Sequence, residues 1–254
     1  MPENALEDTM TTPTTYLMLL WGDPDALLDP RAAYAAHERF EADCAAQGHE
    51  VLLAKELADA STARTLTVGG SPTDGPYAET TEQLGGLYRI RTADPEGLLR
   101  LAAPLVTHDG GTLELRPEVL HDDGAAHDGT TPGDAPLHLV LLRGDPAGAF
   151  DLDAVFAAHD AFVTACEQQG HRVVGGEELG PHTAARLVRT TPAGQPVLCD
   201  GPYTETTEQL GGYYLVRTDD PDALLRLAAP LVEAEGRGTV EVRGMVHDGV
   251  PAAG

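Results

Sequence analysis

Cysteine and basic residues are both scarce in this chain of 254 residues. Its three cysteines, Cys44, Cys166 and Cys199, are an odd number without tight spacing, which favours free thiols in a reducing cytosol over a disulfide framework or a zinc site. Only 16 lysines and arginines stand against 41 aspartates and glutamates, and the net charge of -25 repels phosphate backbones and anionic lipids. We therefore expect a cytoplasmic protein that binds neither nucleic acid nor membrane.

Long apolar runs are also absent from the sequence. None approaches the roughly 20 residues that span a bilayer, and the first 14 residues have neither the basic nor the apolar stretch of a secretion signal, so they predict a disordered lead-in. Hydrophobic residues nevertheless make up 42% of the chain, which is enough to form a buried core.

The chain contains two copies of one unit. Residues 74–106 and 200–232 align without gaps and differ at seven of 33 positions, and further matches continue upstream. Between the copies, residues 121–136 are rich in Gly, Asp and Pro and predict a linker. We therefore divide the chain into a lead-in (1–14), a first repeat (15–120), the linker (121–136), a second repeat (137–248) and a tail (249–254).

Each copy predicts the order β-α-β, β-α-β with an inserted hairpin. The first helix is predicted over Pro30–Gln47, with Asp29 as N-cap and Gly48 as stop, and its counterpart over Leu152–Gln169. A proline within the second helix of each copy is expected to stop or kink it. This order is that of the α+β, ferredoxin-like fold, one antiparallel sheet with both helices on one face. Since the other face must be covered, we expect the two sheets to pack together as an intramolecular pseudo-dimer.

One phrase occurs almost unchanged in both copies, as DGPYAETTEQLGG at 74–86 and DGPYTETTEQLGG at 200–212. We interpret Asp-Gly-Pro as a turn and the paired glycines as a close entry into the next strand. The central residues invite a paired-carboxylate interpretation, but we prefer a capped helical turn, in which Thr80 is matched with Gln83 and Thr206 with Gln209. The phrase would then brace the fold and line a pocket rim.

This phrase, followed in each copy by a tyrosine, resembles the DGPF-domain group of the YCII-related family, with Tyr77 and Tyr203 where that group often has Phe. The resemblance covers both copies almost end to end. It implies ferredoxin-like repeats that associate through their sheets into a dimeric α+β barrel. It also implies a site centred on a histidine of the first helix, matched by His37 and His159, and on an aspartate after the first strand, for which we take Asp23 and Asp145.

The residues themselves leave two roles open for these histidines. His37, Phe40 and Cys44 share one helical face, as do their counterparts in the second copy. A histidine there is either a general acid or base oriented by the aspartate, or a core histidine bonded to a backbone carbonyl. The cysteines on this stripe are interpreted as small buried residues.

Further residues are candidates for substrate binding: Arg64, Arg186, Tyr88, Tyr214, Asp74 and Asp200. The arginines would contact an anion, or would instead pair with the abundant acidic groups. We expect His49 and His171 to be exposed, and His121 and His247 with their adjacent aspartates give only a weak metal hypothesis. We therefore predict no metal site, and no phosphate loop or dinucleotide fingerprint indicates a cofactor.

Two functions remain open at this point. One is a cofactor-independent enzyme, a lyase or isomerase, that uses histidine acid/base chemistry on a small organic molecule in elimination, isomerisation or cyclisation. The other is a non-catalytic ligand-binding or regulatory module, and whether the chain associates into a larger homo-oligomer is also open. Three differences between the copies predict unequal sites: Trp21 against Arg143, Lys55 against Glu177, and Leu87 against Tyr213.

Overall fold

A computed structural model of the chain describes residues 12–23, 29–77, 82–107, 111–119, 133–148, 151–191, 193–203, 208–236 and 238–246. The predicted tail, most of the predicted lead-in and most of the predicted linker lie outside the described residues, as do His121 and His247.

The two copies have the same order of helices and strands. The first contains β1 (Thr14–Gly22), α1 (Pro30–Gln47), β2 (Glu50–Glu56), β3 (Arg64–Thr67), β4 (Thr73–Asp74), β5 (Gln83–Thr92), α2 (Pro95–Thr107) and β6 (Thr112–Val119). The second contains β7 (Leu137–Gly144), α3 (Leu152–Gln168), β8 (Arg172–Leu179), β9 (Arg186–Thr190), β10 (Pro196–Asp200), β11 (Gln209–Arg217), α4 (Pro221–Ala234) and β12 (Gly238–Gly244). A single 3-10 turn precedes β3 and β9, at Ala60–Thr62 and His182–Ala184.

The ends of α1 follow from its sequence. Asp29 accepts a hydrogen bond from the backbone N–H of Arg31 at 3.0 Å, and Gly48 adopts the left-handed conformation with φ of 81°. The predicted bounds of this helix are confirmed. Of the two effects expected of the proline in the second helix, a stop is wrong, because α2 and α4 continue past Pro104 and Pro230, while a kink stays a prediction. Residues on both sides of each proline are buried against the sheet, which holds the helix together despite the lost hydrogen bond.

Each copy forms the four-stranded sheet of the ferredoxin-like fold, in the order β2-β5-β1-β6 and β8-β11-β7-β12. Strands β6 and β8 pair where Glu118 lies opposite Leu179, and an isolated bridge joins Leu57 to Met245 at the other junction. The two sheets thus close into one pseudo-dimeric α+β barrel with helices outside, as the sequence predicts.

Three apolar layers result from this arrangement. The barrel core lies between the sheets and contains residues of both copies, among them Leu17, Leu19, Leu139 and Leu141. One further core lies under each helix pair, with Phe40 and Cys44 in the first and Phe162 in the second. Alternate residues of β1 and β7 therefore serve different cores, as the two-residue period of a strand requires.

The inserted hairpins are exchanged between the copies. Hairpin β9–β10 of the second copy pairs through β9 with β6 of the first, and hairpin β3–β4 of the first copy pairs through β3 with β12 of the second. Val188 of β9 is fully buried under the helices of the first copy, and Thr190 donates a hydrogen bond to the carbonyl of Val106 at 2.8 Å. Each hairpin therefore covers the open edge of the opposite sheet, which would otherwise present unpaired backbone groups.

Within the part of the chain that the structure describes, no helix is both long and apolar enough to cross a membrane.

Candidate functional site

A histidine and a tyrosine are hydrogen-bonded beneath the first helix of each copy. Nδ1 of His37, on α1, lies 2.7 Å from the hydroxyl of Tyr88, on β5. In the second copy, Nδ1 of His159 lies 2.6 Å from the hydroxyl of Tyr214. Both histidines are half-buried. In each copy, the structure therefore brings one predicted catalytic residue together with one predicted substrate-binding residue.

The chemical state of these tyrosines follows from their burial. Burial raises the pKa of both Tyr88 and Tyr214 far above the usual range of a phenol, so each hydroxyl keeps its proton at neutral pH. A neutral hydroxyl can donate a hydrogen bond to an unprotonated imidazole nitrogen or accept one from a protonated nitrogen. Each pair can therefore accommodate either protonation state of its histidine.

The two pairs differ in their surroundings. The hydroxyl of Tyr88 also lies 3.4 Å from a carboxylate oxygen of Glu41, one turn further along α1. The matching position in the second copy is Val163, which packs in the apolar core under the helices. The carboxylate that contacts the pair of the first copy is thus replaced by an aliphatic side chain in the second copy, where Asp160 acts on Tyr214 electrostatically.

The predicted aspartates lie at the ends of the first strands. Asp23 directly follows β1, and Asp145 directly follows β7. Asp145 accepts a hydrogen bond from the backbone N–H of Ala147 at 2.9 Å, which shapes the turn after the strand. Their role in orienting the histidines stays a prediction.

The predicted arginines lie on the exchanged hairpins. Arg64 is paired with Asp74 across β3–β4, and its Nε lies 2.8 Å from a carboxylate oxygen of Asp222 on α4 of the other copy. Nε of Arg186 lies 4.0 Å from a carboxylate oxygen of Asp200 across β9–β10. The structure thus shows the pairing with acidic groups that the sequence leaves open, while contact with a substrate stays a prediction.

The tyrosine of each repeated phrase reaches the strands of the opposite copy. Tyr203 stacks on Trp21 with ring centroids 4.4 Å apart and planes 9° apart, and it is hydrogen-bonded to Glu82. In the mirror arrangement, the guanidinium carbon of Arg143 lies 4.9 Å from the ring centroid of Tyr77. The repeated phrases therefore lie where the two copies meet, and we call these two places the Trp21 mouth and the Arg143 mouth.

A surface cleft of about 520 Å³ lies near the end of β7. Its lining residues are Pro146, His182, Thr183, Asp200, Gly201, Pro202 and Gln209. Pro146 directly follows Asp145, and Gln209 lies opposite Gly144 at the end of β7. The cleft therefore opens at the end of the second sheet where Asp145 lies, and it contains the predicted residue Asp200.

Comparison with known proteins identifies the family. The model of the YCII-related domain matches residues 14–117 and again residues 137–246. The chain belongs to the YCII-related family. Its two YCII-related domains account for both copies of the repeat.

Comparisons with two individual proteins show only how similar the chain is to each of them. This YCII-related chain is 40% identical over 80 residues to "Uncharacterized protein R00369" of Rhizobium meliloti (strain 1021). The match covers 28% of the chain and 63% of that relative, so the chain spans less than two thirds of the relative's length. The crystal structure of "Putative Chlorite dismutase TA0507" shares 9% identity with a TM-score of 0.45, over 93% of this chain and 96% of the other.

Two interpretations of the sequence are wrong for this YCII-related protein. His49 and His171, expected to be exposed, are buried, and Nδ1 of each lies 2.7 Å from a threonine hydroxyl at the end of a central strand. Gln83 and Gln209 begin strands β5 and β11, so neither can occupy the third position of a capped helical turn. Pairing of Gln83 with Gly22 of β1 prevails over the local capping pattern. The threonines of those proposed caps lie outside the described residues.

The structure also contains a buried polar network inside the barrel, which the sequence does not predict. Arg89 is paired with Glu118 and Glu177, and the hydroxyl of Tyr213 donates to Glu118 at 2.6 Å. Arg89 is not repeated in the second copy, where Leu215 takes its place, and no motif distinguishes it. The one available signal was the difference between Leu87 and Tyr213. No group of three or more His, Cys, Asp or Glu side chains among the described residues is placed to hold a metal ion.

Proposed function

We propose that this YCII-related protein is an enzyme that transfers protons on a small organic molecule, with His37 and His159 as general acid or base of two separate sites. The observation that carries the proposal is the repeated histidine–tyrosine hydrogen bond, 2.7 Å in one copy and 2.6 Å in the other. Imidazole is the side chain best suited to proton transfer near neutral pH. The reaction class would be elimination, isomerisation or cyclisation, without a redox cofactor.

Each tyrosine would act as a positioning residue in this proposal. Its hydroxyl holds Nδ1 of the histidine, and its ring is fixed by a neighbouring phenylalanine, with centroids 5.1 Å apart for Phe40 and Tyr88 and 4.8 Å apart for Phe162 and Tyr214. The imidazole is thereby kept in one orientation, which a proton-transfer group requires. Asp23 and Asp145 would complete each site as orienting carboxylates.

The surroundings of each pair would assign different tasks to the two histidines. In the first copy, Tyr88 can donate to Glu41 and accept a hydrogen bond from Nδ1 of His37, which places a proton on Nδ1 in either the neutral Nδ1–H tautomer or the imidazolium. In the second copy, the position that matches Glu41 is aliphatic, and Tyr214 can donate its proton to Nδ1 of His159, which would then be the neutral Nε2–H tautomer. We therefore expect the two sites to have different pH profiles.

The test is proton exchange into a panel of small 2-oxo acids, lactones and unsaturated acids in D2O, followed by proton NMR. An enzyme of this class exchanges the proton at the reacting carbon of its substrate. We expect exchange by the wild-type protein, partial loss in H37A and in H159A, and loss by at least about a hundredfold in the double variant.

Each single variant serves as the matched control for the other, because the untouched copy keeps its own pair. Y88F and Y214F should change the pH profile and reduce the rate less than the histidine variants do. A double histidine variant that is folded by circular dichroism and exchanges at the wild-type rate would exclude histidine catalysis.

A second candidate function is a non-catalytic ligand-binding module. The observation that favours it is the cleft of about 520 Å³, whose lining residues include neither His37 nor His159. A compound that protects the protein against thermal unfolding and is recovered chemically unchanged, without isotope exchange, would favour this function over the enzyme.

A further inference from the structure

Arg143 is a buried charge whose Nε has no hydrogen-bond acceptor among the described residues, although Glu114 attracts it electrostatically. Its side chain points from β7 into the barrel, and the residue is only 9% exposed. Nε is buried and makes no hydrogen bond, and among the described residues no salt bridge joins this guanidinium to a carboxylate. The guanidinium carbon lies 4.9 Å from the ring centroid of Tyr77. A buried cation without a hydrogen-bonding partner is costly, and this one occurs in a chain with a large excess of acidic residues.

Three other buried arginines of the described barrel have acceptor oxygens for their guanidinium groups. Arg89 is paired with two glutamates, and Arg116 lies 3.6 Å from Glu114 and donates to a backbone carbonyl. Arg243 donates to the carbonyl of Ala58 at 2.8 Å. Each of the three has an acceptor oxygen, so the lack of one at Arg143 is not a general property of this barrel.

The nearby carboxylates already have other partners. Glu241 accepts a hydrogen bond from the backbone N–H of Tyr77 at 3.1 Å, and Glu208 is hydrogen-bonded to the hydroxyl of the same tyrosine. Glu114 lies 3.6 Å from Arg116 and accepts from the backbone N–H of Tyr203, and it attracts Arg143 electrostatically more weakly than it attracts Arg116. These contacts position Tyr77 over Arg143 and leave Nε of Arg143 without an acceptor among the described residues.

The surface cleft lies one residue pair beyond Arg143 at the same end of the sheet. Arg143 lies opposite Leu210, and the next pair, Gly144 and Gln209, borders the surface cleft of about 520 Å³. A planar guanidinium beside an aromatic ring is suited to bind a carboxylate or phosphate through two parallel hydrogen bonds.

The matching position of the first copy has the opposite character. Trp21 replaces the arginine, and its ring stacks on that of Tyr203 at the Trp21 mouth. We propose that the Arg143 mouth binds one oxyanionic group, a carboxylate or phosphate, against Arg143 and Tyr77, and that the Trp21 mouth does not. The chain therefore has one anion site, although its fold is duplicated.

The test is isothermal titration calorimetry of the full chain with benzoate and, separately, with inorganic phosphate. We expect saturable binding of at least one probe with one site per chain, and the stronger probe identifies the source of the oxyanion. R143M should weaken that binding at least about tenfold, because the charge-assisted hydrogen bonds are lost. R226Q removes an exposed positive charge from α4 and should leave the affinity unchanged.

Two further variants keep the proposal open to refutation. R143K retains the charge without the planar fork and should weaken binding by less than R143M does, which also provides a test if R143M fails to fold. W21R introduces a guanidinium at the Trp21 mouth and should raise the stoichiometry to two. The proposal is overturned if wild-type protein binds neither probe up to about 10 mM, if folded R143M or R143K binds as tightly as wild type, or if W21R still binds one equivalent. Because the readout is binding and not turnover, this result is independent of the proton-transfer proposal.

Discussion

The buried network of Arg89, Glu118, Glu177 and Tyr213 can be tested by substitution with the residues that occupy the matching positions of the other copy. Glu118 is fully buried, receives both contacts from Nε of Arg89 at 2.9 and 3.0 Å, and accepts from Tyr213 at 2.6 Å. Burial raises the pKa of Glu118, and Arg89 opposes that rise. The positions that match these four in the other copy are Leu215, Met245, Lys55 and Leu87.

Two variants are compared for their unfolding free energy. One is the single substitution E118M, and the other is the full exchange R89L/E118M/E177K/Y213L. E118M removes two charge-assisted contacts and leaves Arg89 and the Tyr213 hydroxyl short of an acceptor, so it should cost about 3–5 kcal/mol of unfolding free energy. The full exchange removes every member of the network and installs the set that already fills the matching half of the barrel. Three of the four replacements are apolar, and replacement of a buried ionic group by apolar residues is often neutral or stabilising, so we expect a cost below about 2 kcal/mol.

The assay is equilibrium unfolding in guanidinium chloride, followed by circular dichroism, for wild type, E118M, R89L and the full exchange. The R89L/E118M double variant closes a mutant cycle and should be less destabilised than the sum of its single variants. If E118M costs less than about 1 kcal/mol, or if the full exchange costs as much as E118M, the network does not act as the coupled unit that its geometry indicates.

Three further predictions concern other buried or stacked groups. One cysteine, Cys199, is exposed, whereas burial raises the pKa of the other two thiols to about 11, so a thiol reagent at pH 8 should label one site in the native protein and three after denaturation. Burial lowers the pKa of His49 below its ordinary value of 6.5, so the unfolding free energy should fall as the pH drops from about 7 to 5, and H49Q should show a smaller fall. Trp21 is the single tryptophan, so Y203A should shift its fluorescence emission to longer wavelength by exposing the indole, and an unchanged spectrum would contradict the stacked arrangement.

Local signals in the sequence were sufficient for most of the helices and strands. The bounds of α1 follow from an aspartate N-cap, a proline and a glycine stop, because these residues act within one turn of the chain. The ferredoxin-like order follows in the same way from the alternation of strand and helix patterns. Where a local pattern met a long-range partner, the partner prevailed, as at Gln83, which pairs with β1 instead of capping a turn.

The candidate site was predictable in part. His37 and His159 could be found because the repeat preserves them on the buried stripe, and Tyr88 and Tyr214 because they follow the repeated phrase. Their pairing could not be derived, because a histidine 51 residues from its tyrosine meets it only after the helix packs on the sheet. The same holds for His49, which finds the hydroxyl of Thr92 at 2.7 Å in the interior.

The sequence by itself determined that this protein is a duplicated unit of one fold, since repetition, helix caps and strand alternation are all properties of neighbouring residues. Only the tertiary structure decided that the two units exchange their hairpins, because β9 and β3 each pair with a strand of the other copy. That exchange brings Tyr77 over Arg143 and Tyr203 onto Trp21. The chemical difference between the mouths therefore depends on which residues of the opposite copy are brought into contact, and sequence separation carries no information about that contact.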